Sequence, residues 1–250
     1  MFYSLLTLLS GLLVYHFLSV QSLTEKQAFA PLANQSITAK SATSHVKHLI
    51  EVTQDSRVWL QGWIIICAYC GFKSLDNFGL FASQVLHMNA VESANLVTWA
   101  SYTRPIAAIL AGLVADRWQI GKQVALCFTL TLLSFLLLGL LHPYSMTLNI
   151  VVFNIVITFI AVYALRGIYF ALVEASGIKQ NTTGTAVGLI SLIGFTPDIF
   201  FASLTGRILD ASPGASGFQH YFLLLAGISA AGLLATIWLN SKTLSAKKIK

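Results

Sequence analysis

Long runs of apolar residues, separated by short polar stretches, divide the chain into seven segments. Two of these runs, 124–141 and 221–240, contain no charged residue at all. A helix needs about 20 predominantly apolar residues to cross a bilayer core of about 30 Å. The runs do not alternate every second residue as the strands of a membrane barrel do, so they predict helices. The seven predicted membrane helices are 1–18, 58–86, 94–115, 123–141, 147–172, 184–206 and 220–240.

The first predicted helix, 1–18, has the length of a secretion signal. It has no Lys or Arg near Met1 and no small-residue cleavage site after it, so a membrane helix is the better interpretation. A polar stretch rich in Ser, Thr, Gln and Lys occupies 19–57, and a basic tail occupies 241–250. The expected organisation is therefore one helix, a cytoplasmic loop, a six-helix bundle over 58–240, and a cytoplasmic tail.

The composition agrees with this pattern. Of the 250 residues, 56% are hydrophobic and 10% are charged, and the mean hydropathy is +0.75. Water-soluble domains typically contain about 25% charged residues. The sequence therefore predicts an all-α membrane protein. Its net charge of +6 is attributed mostly to Lys and Arg in the loops on one side of the membrane. No nucleic-acid partner is expected.

Lys and Arg outside the helices lie almost entirely on one side of the membrane if successive helices alternate in direction. Eleven of them fall on that side, and Arg207 alone falls on the other. Cytoplasmic loops carry the excess of positive charge, so the predicted C-terminus is cytoplasmic and the predicted location is the inner (plasma) membrane. The eleven are Lys26, Lys40, Lys47, Arg57, Arg117, Lys122, Lys179, Lys242, Lys247, Lys248 and Lys250.

Five charged residues lie inside the predicted membrane segments, where a charge costs at least about 2.5–3.5 kcal/mol on insertion scales. Such residues usually face a bundle interior or a wet cavity, which makes them candidates for a functional site. Two alternatives stay open. Lys73 and Asp76 are three residues apart on one helical face and could merely neutralise each other, and Arg166 could pair with Glu174 two turns on. The five are Lys73, Asp76, Arg104, Arg166 and Asp198.

Two of these charges lie in similar segments, TRPIAAILAGLVAD at 103–116 and TPDIFFASLTGRILD at 196–210. Both segments begin with Thr, contain a Pro and end in G-x-[IV]-x-D. Arg104 and Asp198 each precede a glycine by eight residues, or about 12 Å of helix, which places both near the middle of the membrane. The segments run in opposite directions in the predicted topology, as the inverted repeats of secondary transporters do.

Small and helix-breaking residues accompany these charges. Pro105 and Pro197 each remove a backbone hydrogen bond inside a span, which predicts kinked helices at a cavity wall. GTAVG at 184–188 has small residues four apart, and such a face lets another helix approach closely.

Residues with metal-binding or catalytic chemistry are sparse. Cys67 and Cys70 form a C-x-x-C, but it lies in an apolar helix, so packing is the better interpretation. His45 and His48 lie three apart in a polar loop with no third ligand close by in the sequence. We therefore expect no metal, no cofactor and no catalytic residues. A membrane enzyme is disfavoured because no His/Asp/Ser constellation lies at a membrane surface.

The stretch GLVADRWQIGK at 112–122 resembles the signature loop of the major facilitator superfamily, roughly G-x-L-x-D-R-x-G-[RK]. Compared with that pattern, this chain has two additional residues between Arg117 and Gly121. GRILD at 206–210 resembles the degenerate copy of that loop, and the region from 166 to 200 is similar to an uncharacterised bacterial branch of the superfamily. The residues on the signature positions are Gly112, Asp116, Arg117, Gly121 and Lys122.

The resemblance implies a fold. The chain would be the sixth helix, the loop between the halves, and helices seven to twelve. It would thus be the C-terminal six-helix half of the major facilitator fold, made of two inverted three-helix repeats, plus one extra N-terminal helix. Five N-terminal helices would be missing, so transport would require a longer parent chain, a separate chain or self-pairing.

The loop at 112–122 is then expected to act in gating. Asp116 and Arg117 lie between two helix ends, where a carboxylate accepts bonds from free amides and a guanidinium meets free carbonyls. Arg117 and Lys122 also reach the phosphates of membrane lipids. Such contacts would lock the cytoplasmic ends in one conformational state. The alternative is a loop that only fixes the topology.

The interior charges favour an organic anion as the substrate, because three cations face two acids and Arg binds carboxylate or phosphate in bidentate fashion. We expect part of a secondary active transporter that moves a small solute by alternating access. Arg104, Arg166 and Lys73 would bind the substrate, and Asp198 or Asp76 would couple transport to protons. The alternative is a truncated membrane scaffold with no transport activity of its own.

Overall fold

The computed structural model describes residues 50–115, 117–141, 147–175 and 182–248, all of which belong to one compact unit, His48–Lys250. The predicted helix 1–18, nearly all of the loop 19–57, and Asp116 lie outside the described residues. Within the described ranges every regular element is a helix and there is no strand, which confirms the all-α prediction there. The helices are α1 (Ser56–Ser74), α2 (Phe78–Gln84), α3 (Ala90–Ser101), α4 (Thr103–Ala115), α5 (Ile120–Leu140), α6 (Leu148–Ile168), α7 (Ala171–Ala175), α8 (Thr183–Gly194), α9 (Pro197–Ala211) and α10 (Ala215–Lys248).

Five stretches of helix are long and apolar enough to cross a membrane. The predicted span 94–115 is helical, as α3 and α4, but it is not among the five; its first half carries polar residues and Arg104. Its passage through the membrane therefore stays a prediction. The five stretches are Ser56–Gln84, Ile120–Leu140, Leu148–Ile168, Thr183–Ala211 and Ala215–Lys242.

Side-chain caps fix where two of the spans begin. Asp55 accepts the backbone N–H of Arg57 at 2.9 Å and forms an ion pair with its guanidinium at 2.8 Å. Burial acts to raise the pKa of Asp55, but the hydrogen bonds and charge of Arg57 outweigh burial and lower that pKa. At the start of α3, Asn89 and Glu92 form a capping box, in which each side chain accepts the other's backbone N–H. These caps start the helices two to four residues earlier than the apolar runs predict.

Four of the six predicted spans that the structure describes are interrupted. Each interruption lies within three residues of one of the five charged residues in the predicted membrane segments. A 3₁₀ turn, Leu75–Asn77, separates α1 from α2 beside Lys73 and Asp76. The other interruptions are at Tyr102, at 169–170 and at 195–196, close to Arg104, Arg166 and Asp198 respectively. The spans formed by α5 and α10 are continuous, and their apolar interiors contain no charged residue.

Side-chain hydroxyl groups donate to backbone carbonyls at three of these breaks. Thr103 Oγ1 donates to the Ala100 carbonyl at 2.5 Å, and Thr196 Oγ1 donates to the Ile193 carbonyl at 2.7 Å. At the first break, the buried Tyr221 of α10 donates its hydroxyl to the Ser74 carbonyl at 3.0 Å. Because an unpaired carbonyl in a membrane interior is costly, these bonds stabilise the breaks as fixed features of the bundle.

Two clusters of apolar side chains form the core. One is mainly aromatic, and in it Phe81 meets Phe222 edge to face with ring centroids 5.1 Å apart. The other is mainly aliphatic and includes Ile64, Ile65 and Val124. The three cysteines, Cys67, Cys70 and Cys127, are buried among these side chains and form no disulfide.

The crossing of α10 with α1 and α5 requires a glycine at position 232. A Cβ added to Gly232 would lie 2.6 Å from Cζ of Phe128 and 2.9 Å from Cβ of Cys67. We therefore expect Gly232→Ala to lower the free energy of unfolding by about 1–3 kcal/mol, as overpacking does. Thermal unfolding of the purified protein, followed by tryptophan fluorescence, measures the effect.

The matched control for this prediction is Gly227→Ala in the same helix. A Cβ on Gly227 would have no atom within 4 Å. Alanine is the better helix former by about 1 kcal/mol, so this variant should be as stable as the parent or slightly more so. Equal stability of the two variants would contradict the proposed close packing at Gly232.

Candidate functional site

Lys73 connects two carboxylates on different helices. Its Nζ lies 3.5 Å from Oδ2 of Asp76, in the 3₁₀ turn, and 3.5 Å from Oδ1 of Asp198, in the first turn of α9. Lys73 therefore pairs with Asp198 as well as with Asp76, and the interpretation in which Asp76 alone neutralises it is incomplete. We call Lys73, Asp76, Arg104, Arg166 and Asp198 the charged cluster.

Tyr69 is a member of the site that the sequence did not reveal. Its hydroxyl donates to Oδ2 of Asp198 at 2.8 Å, and its ring meets that of Phe195 at 5.0 Å between centroids. The hydrogen bond ties α1 to the start of α9, just after the break in that span. Asp198 therefore accepts a hydrogen bond on one carboxylate oxygen while the other faces Lys73.

Arg166 lies against aromatic rings. The carbon at the centre of its guanidinium is 3.7 Å from the centroid of Phe72 and 5.7 Å from that of Tyr69. Its Nη1 atom is buried and has no hydrogen-bond partner among the residues that the structure describes. A buried charged donor without an acceptor is costly, so this side chain is suited to binding an anion. The side chain of Glu174, its other candidate partner, lies outside the described residues.

Arg104 opens onto a cavity of about 590 Å³ that lies between α1, α3, α4 and α6. Its guanidinium carbon is 5.7 Å from the centroid of Tyr163, and Asp76 lines the same cavity. Asp198 is not among the lining residues. It forms an ion pair with Lys73, which also pairs with the lining residue Asp76. The lining residues are Phe72, Leu75, Asp76, Gly79, Ala94, Val97, Thr98, Ser101, Arg104, Phe159 and Tyr163.

The two similar segments have similar local structure. Thr103 and Thr196 are the first residues of their segments, and the hydroxyl of each donates to the carbonyl three residues before it at a helix break. Glycines 112 and 206, which follow Arg104 and Asp198 by eight residues, are also alike, since a Cβ on either would have no atom within 4 Å. The two segments are thus similar both in amino-acid sequence and in this local hydrogen bond.

The loop with the signature residues lies at one end of the bundle. A Cβ on Gly121 would collide with the side-chain amide of Asn240 in α10, and Nζ of Lys242 lies 3.3 Å from Oγ of Ser56 at the start of α1. Arg117 and Lys122 are exposed at this end. The start of α1, this loop and the end of α10 are therefore neighbours, as alternating helices require. The side of the membrane that they face stays a prediction.

The chain is similar to two proteins of Escherichia coli (strain K12) over nearly all of its length. It is 24% identical to the inner membrane protein YihN over 250 residues, which is 99% of this chain and 58% of the relative. It is 23% identical to the inner membrane protein YqcE, over 93% of this chain and 53% of the relative. An uncharacterized protein of Mycoplasma pneumoniae (strain ATCC 29342 / M129 / Subtype 1) is 28% identical over 64% of this chain and 80% of its own length.

The comparisons define a class and a limit. The chain matches no protein-family model and no solved structure. Its apolar helices and its likeness to inner membrane proteins indicate a membrane protein, which is helical in the part of the chain that the structure describes. It spans a little over half the length of the two E. coli relatives.

Proposed function

We propose that the chain is part of a secondary active transporter, which moves a small organic anion across the inner membrane by alternating access. The observation that carries this proposal is the gathering of the charged cluster at four helix breaks beside an aromatic-lined cavity. Secondary transporters bind substrate near the membrane midplane, at discontinuous helices. Charges in a purely structural bundle have no reason to coincide with every break.

The balance of charge supports an anion. Lys73 is neutralised by two carboxylates, so that this trio carries one net negative charge. Arg104 and Arg166 form no ion pair with any acid that the structure describes, and they bring the cluster to one net positive charge. Arg104 also lies in the first turn of α4, where the helix dipole already favours an anion. A small carboxylate, phosphate ester or sulfonate would supply the missing charge.

Coupling to protons is proposed for Asp198 and Asp76. Each shares Lys73 with the other, so protonation of one would transfer the cation wholly to its partner. Asp76 lines the cavity, whereas Asp198 stands at the break in the α8–α9 span. An exchange of Lys73 between them would connect the occupancy of the cavity to the geometry of that span.

We further propose that the chain is the C-terminal half of a major facilitator-like transporter. The likeness of the segments around Arg104 and Asp198 supports an inverted repeat, and the greater length of the relatives leaves room for an opposing half. The low burial of the span Thr183–Ala211 supports a further helix packed against it, since only 22% of its most apolar 18-residue stretch is buried. On its surface, a Cβ added to Gly184 or Gly188 would have no atom within 4 Å, so no helix of the described bundle packs there.

Uptake by the assembled transporter tests this proposal. The tagged chain is purified together with whatever opposing half it binds, reconstituted in proteoliposomes, and given labelled carboxylates, phosphate esters and sulfonates. We expect saturable uptake of at least one of these anions, with a rate that depends on an imposed pH gradient. The chain alone should show none.

The outcomes separate the two functions considered. A truncated scaffold predicts neither uptake nor thermal stabilisation by any anion in either preparation. Uptake of neutral or cationic solutes alone would contradict the anion assignment while leaving transport in place. Equal uptake by the chain without a larger partner would contradict the need for an opposing half, unless the chain pairs with itself, which its oligomeric state would reveal.

A further inference from the structure

Arg104 and Arg166, which form no ion pair with any acid that the structure describes, differ in access. Arg104 is exposed and lines the cavity together with Tyr163. Arg166 is half-buried and is not among the described residues that line the cavity, and its Nη1 atom is closed to solvent. Both arginines nevertheless lie over rings of one aromatic group, since the centroids of Phe72 and Tyr163 are 6.5 Å apart.

Phe72 belongs to both places. It lines the cavity, and the guanidinium of Arg166 lies over its ring at 3.7 Å. Its neighbour Tyr69, with a centroid 5.9 Å away, is held by its hydroxyl bond to Asp198. The ring of Phe72 therefore borders both the open cavity and Arg166, and it has an aromatic neighbour, Tyr69, on the side of Asp198.

We propose that Phe72 is a gate that divides the site into two anion positions, an accessible one at Arg104 and an occluded one at Arg166. An anion that enters at Arg104 reaches Arg166 when the ring of Phe72 turns aside. Arg166 then exchanges its contact with the ring for charged hydrogen bonds to the anion, including one from the Nη1 donor that now has no partner. This inference rests on the proposed anion transport and adds the order in which the two arginines are used.

Arginine-specific modification tests the gate without a known substrate. The purified full chain is treated with phenylglyoxal, which condenses with the guanidinium nitrogens, and modification at each arginine is followed by peptide mass spectrometry. We expect Arg104 to react at least tenfold faster than Arg166 in the parent protein. In Phe72→Ala the reactivity of Arg166 should rise at least tenfold, while that of Arg104 stays the same.

Several controls exclude unfolding as the cause. The exposed Arg207, outside the cavity lining, is an internal reference whose rate should not change in any variant. Phe153→Ala removes a ring of the same kind that is 66% exposed on α6 and should leave Arg166 protected. Phe72→Tyr retains a ring and should protect, whereas Phe72→Leu, which retains a bulky side chain without a ring, should fall between Tyr and Ala.

Two results would overturn the gate. One is equal reactivity of Arg104 and Arg166 in the parent protein, and the other is unchanged protection of Arg166 in Phe72→Ala with the internal reference constant. These results are independent of uptake. Protection that depends on Phe72 in a protein that transports no anion would contradict the proposed function alone, and anion uptake with equally reactive arginines would contradict the gate alone.

Discussion

Replacing Arg104 by glutamine is expected to reduce sharply the anion uptake that we propose for the assembled protein. Glutamine keeps hydrogen-bonding capacity but loses the charge and the bidentate geometry. A hydrogen bond to a charged group contributes about 1.5–3 kcal/mol, so the affinity for the anion should fall roughly 10- to 150-fold. Arg104 opens directly onto the cavity, and therefore the loss should appear in binding as well as in transport. Titration calorimetry and initial rates of uptake measure the two effects.

The matched control is Arg207→Gln. Arg207 is likewise an exposed arginine on a helix, α9, but it is not among the residues that line the cavity and should tolerate the change. Arg104→Lys retains the charge without the planar fork, so we expect intermediate affinity. Unchanged uptake of every anion tried by Arg104→Gln would remove this residue from the proposed binding site.

Most of the helical architecture was predictable because apolar runs determine which segments enter the membrane. The beginnings of α1 and α3 shifted because caps, and not hydropathy, fix the first turn. The capping box of Asn89 and Glu92 was present in the sequence as N-x-x-E. Two breaks also had a signal in the sequence, since Pro105 and Pro197 predicted kinks and the interruptions fall just before them.

The break at Leu75–Asn77 has no such signal. Glycine and proline are absent from the turn itself, and part of its support comes from Tyr221, which lies 147 residues away from Ser74 in the sequence. A contact of that range depends on how α10 packs against α1, which local sequence does not specify. The packing of the glycine pair 184–188 was open for the same reason, and in the described bundle that face has no neighbour.

The charged members of the site were identifiable because a charge within an apolar run is expensive and rare. The aromatic members were not, because Tyr and Phe are ordinary residues of membrane helices. Tyr69 joins the site through a hydrogen bond to a residue 129 positions away, and Phe72 joins it by lining the cavity and by its contact with the Arg166 guanidinium. Sequence alone therefore indicated the candidate charged residues but not the aromatic side chains that lie beside them.

The sharing of Lys73 by two carboxylates also gives this residue a structural role that can be separated from transport. Replacing Lys73 with methionine would remove the cation that Asp76 and Asp198 share. Loss of one partner costs about 3–5 kcal/mol in a fully buried pair but only about 0.2–1 kcal/mol in an exposed one. The side chain of Lys73 is 29% exposed, and those of Asp76 and Asp198 are 69% and 51% exposed. Both pairs therefore fall in the exposed class, and we expect Lys73→Met to destabilise the protein by about 0.4–2 kcal/mol for the two together.

A second substitution shows whether charge is the cause. Adding Asp198→Asn to Lys73→Met removes one uncompensated carboxylate and keeps the hydrogen bond to Tyr69 possible, so the double variant should be more stable than Lys73→Met alone. Lys122→Met, at the exposed end of α5, should leave the thermal unfolding temperature unchanged. If the two substitutions in the cluster instead destabilise additively, Lys73 and Asp198 are not coupled, and the exchange of a shared cation loses its physical basis.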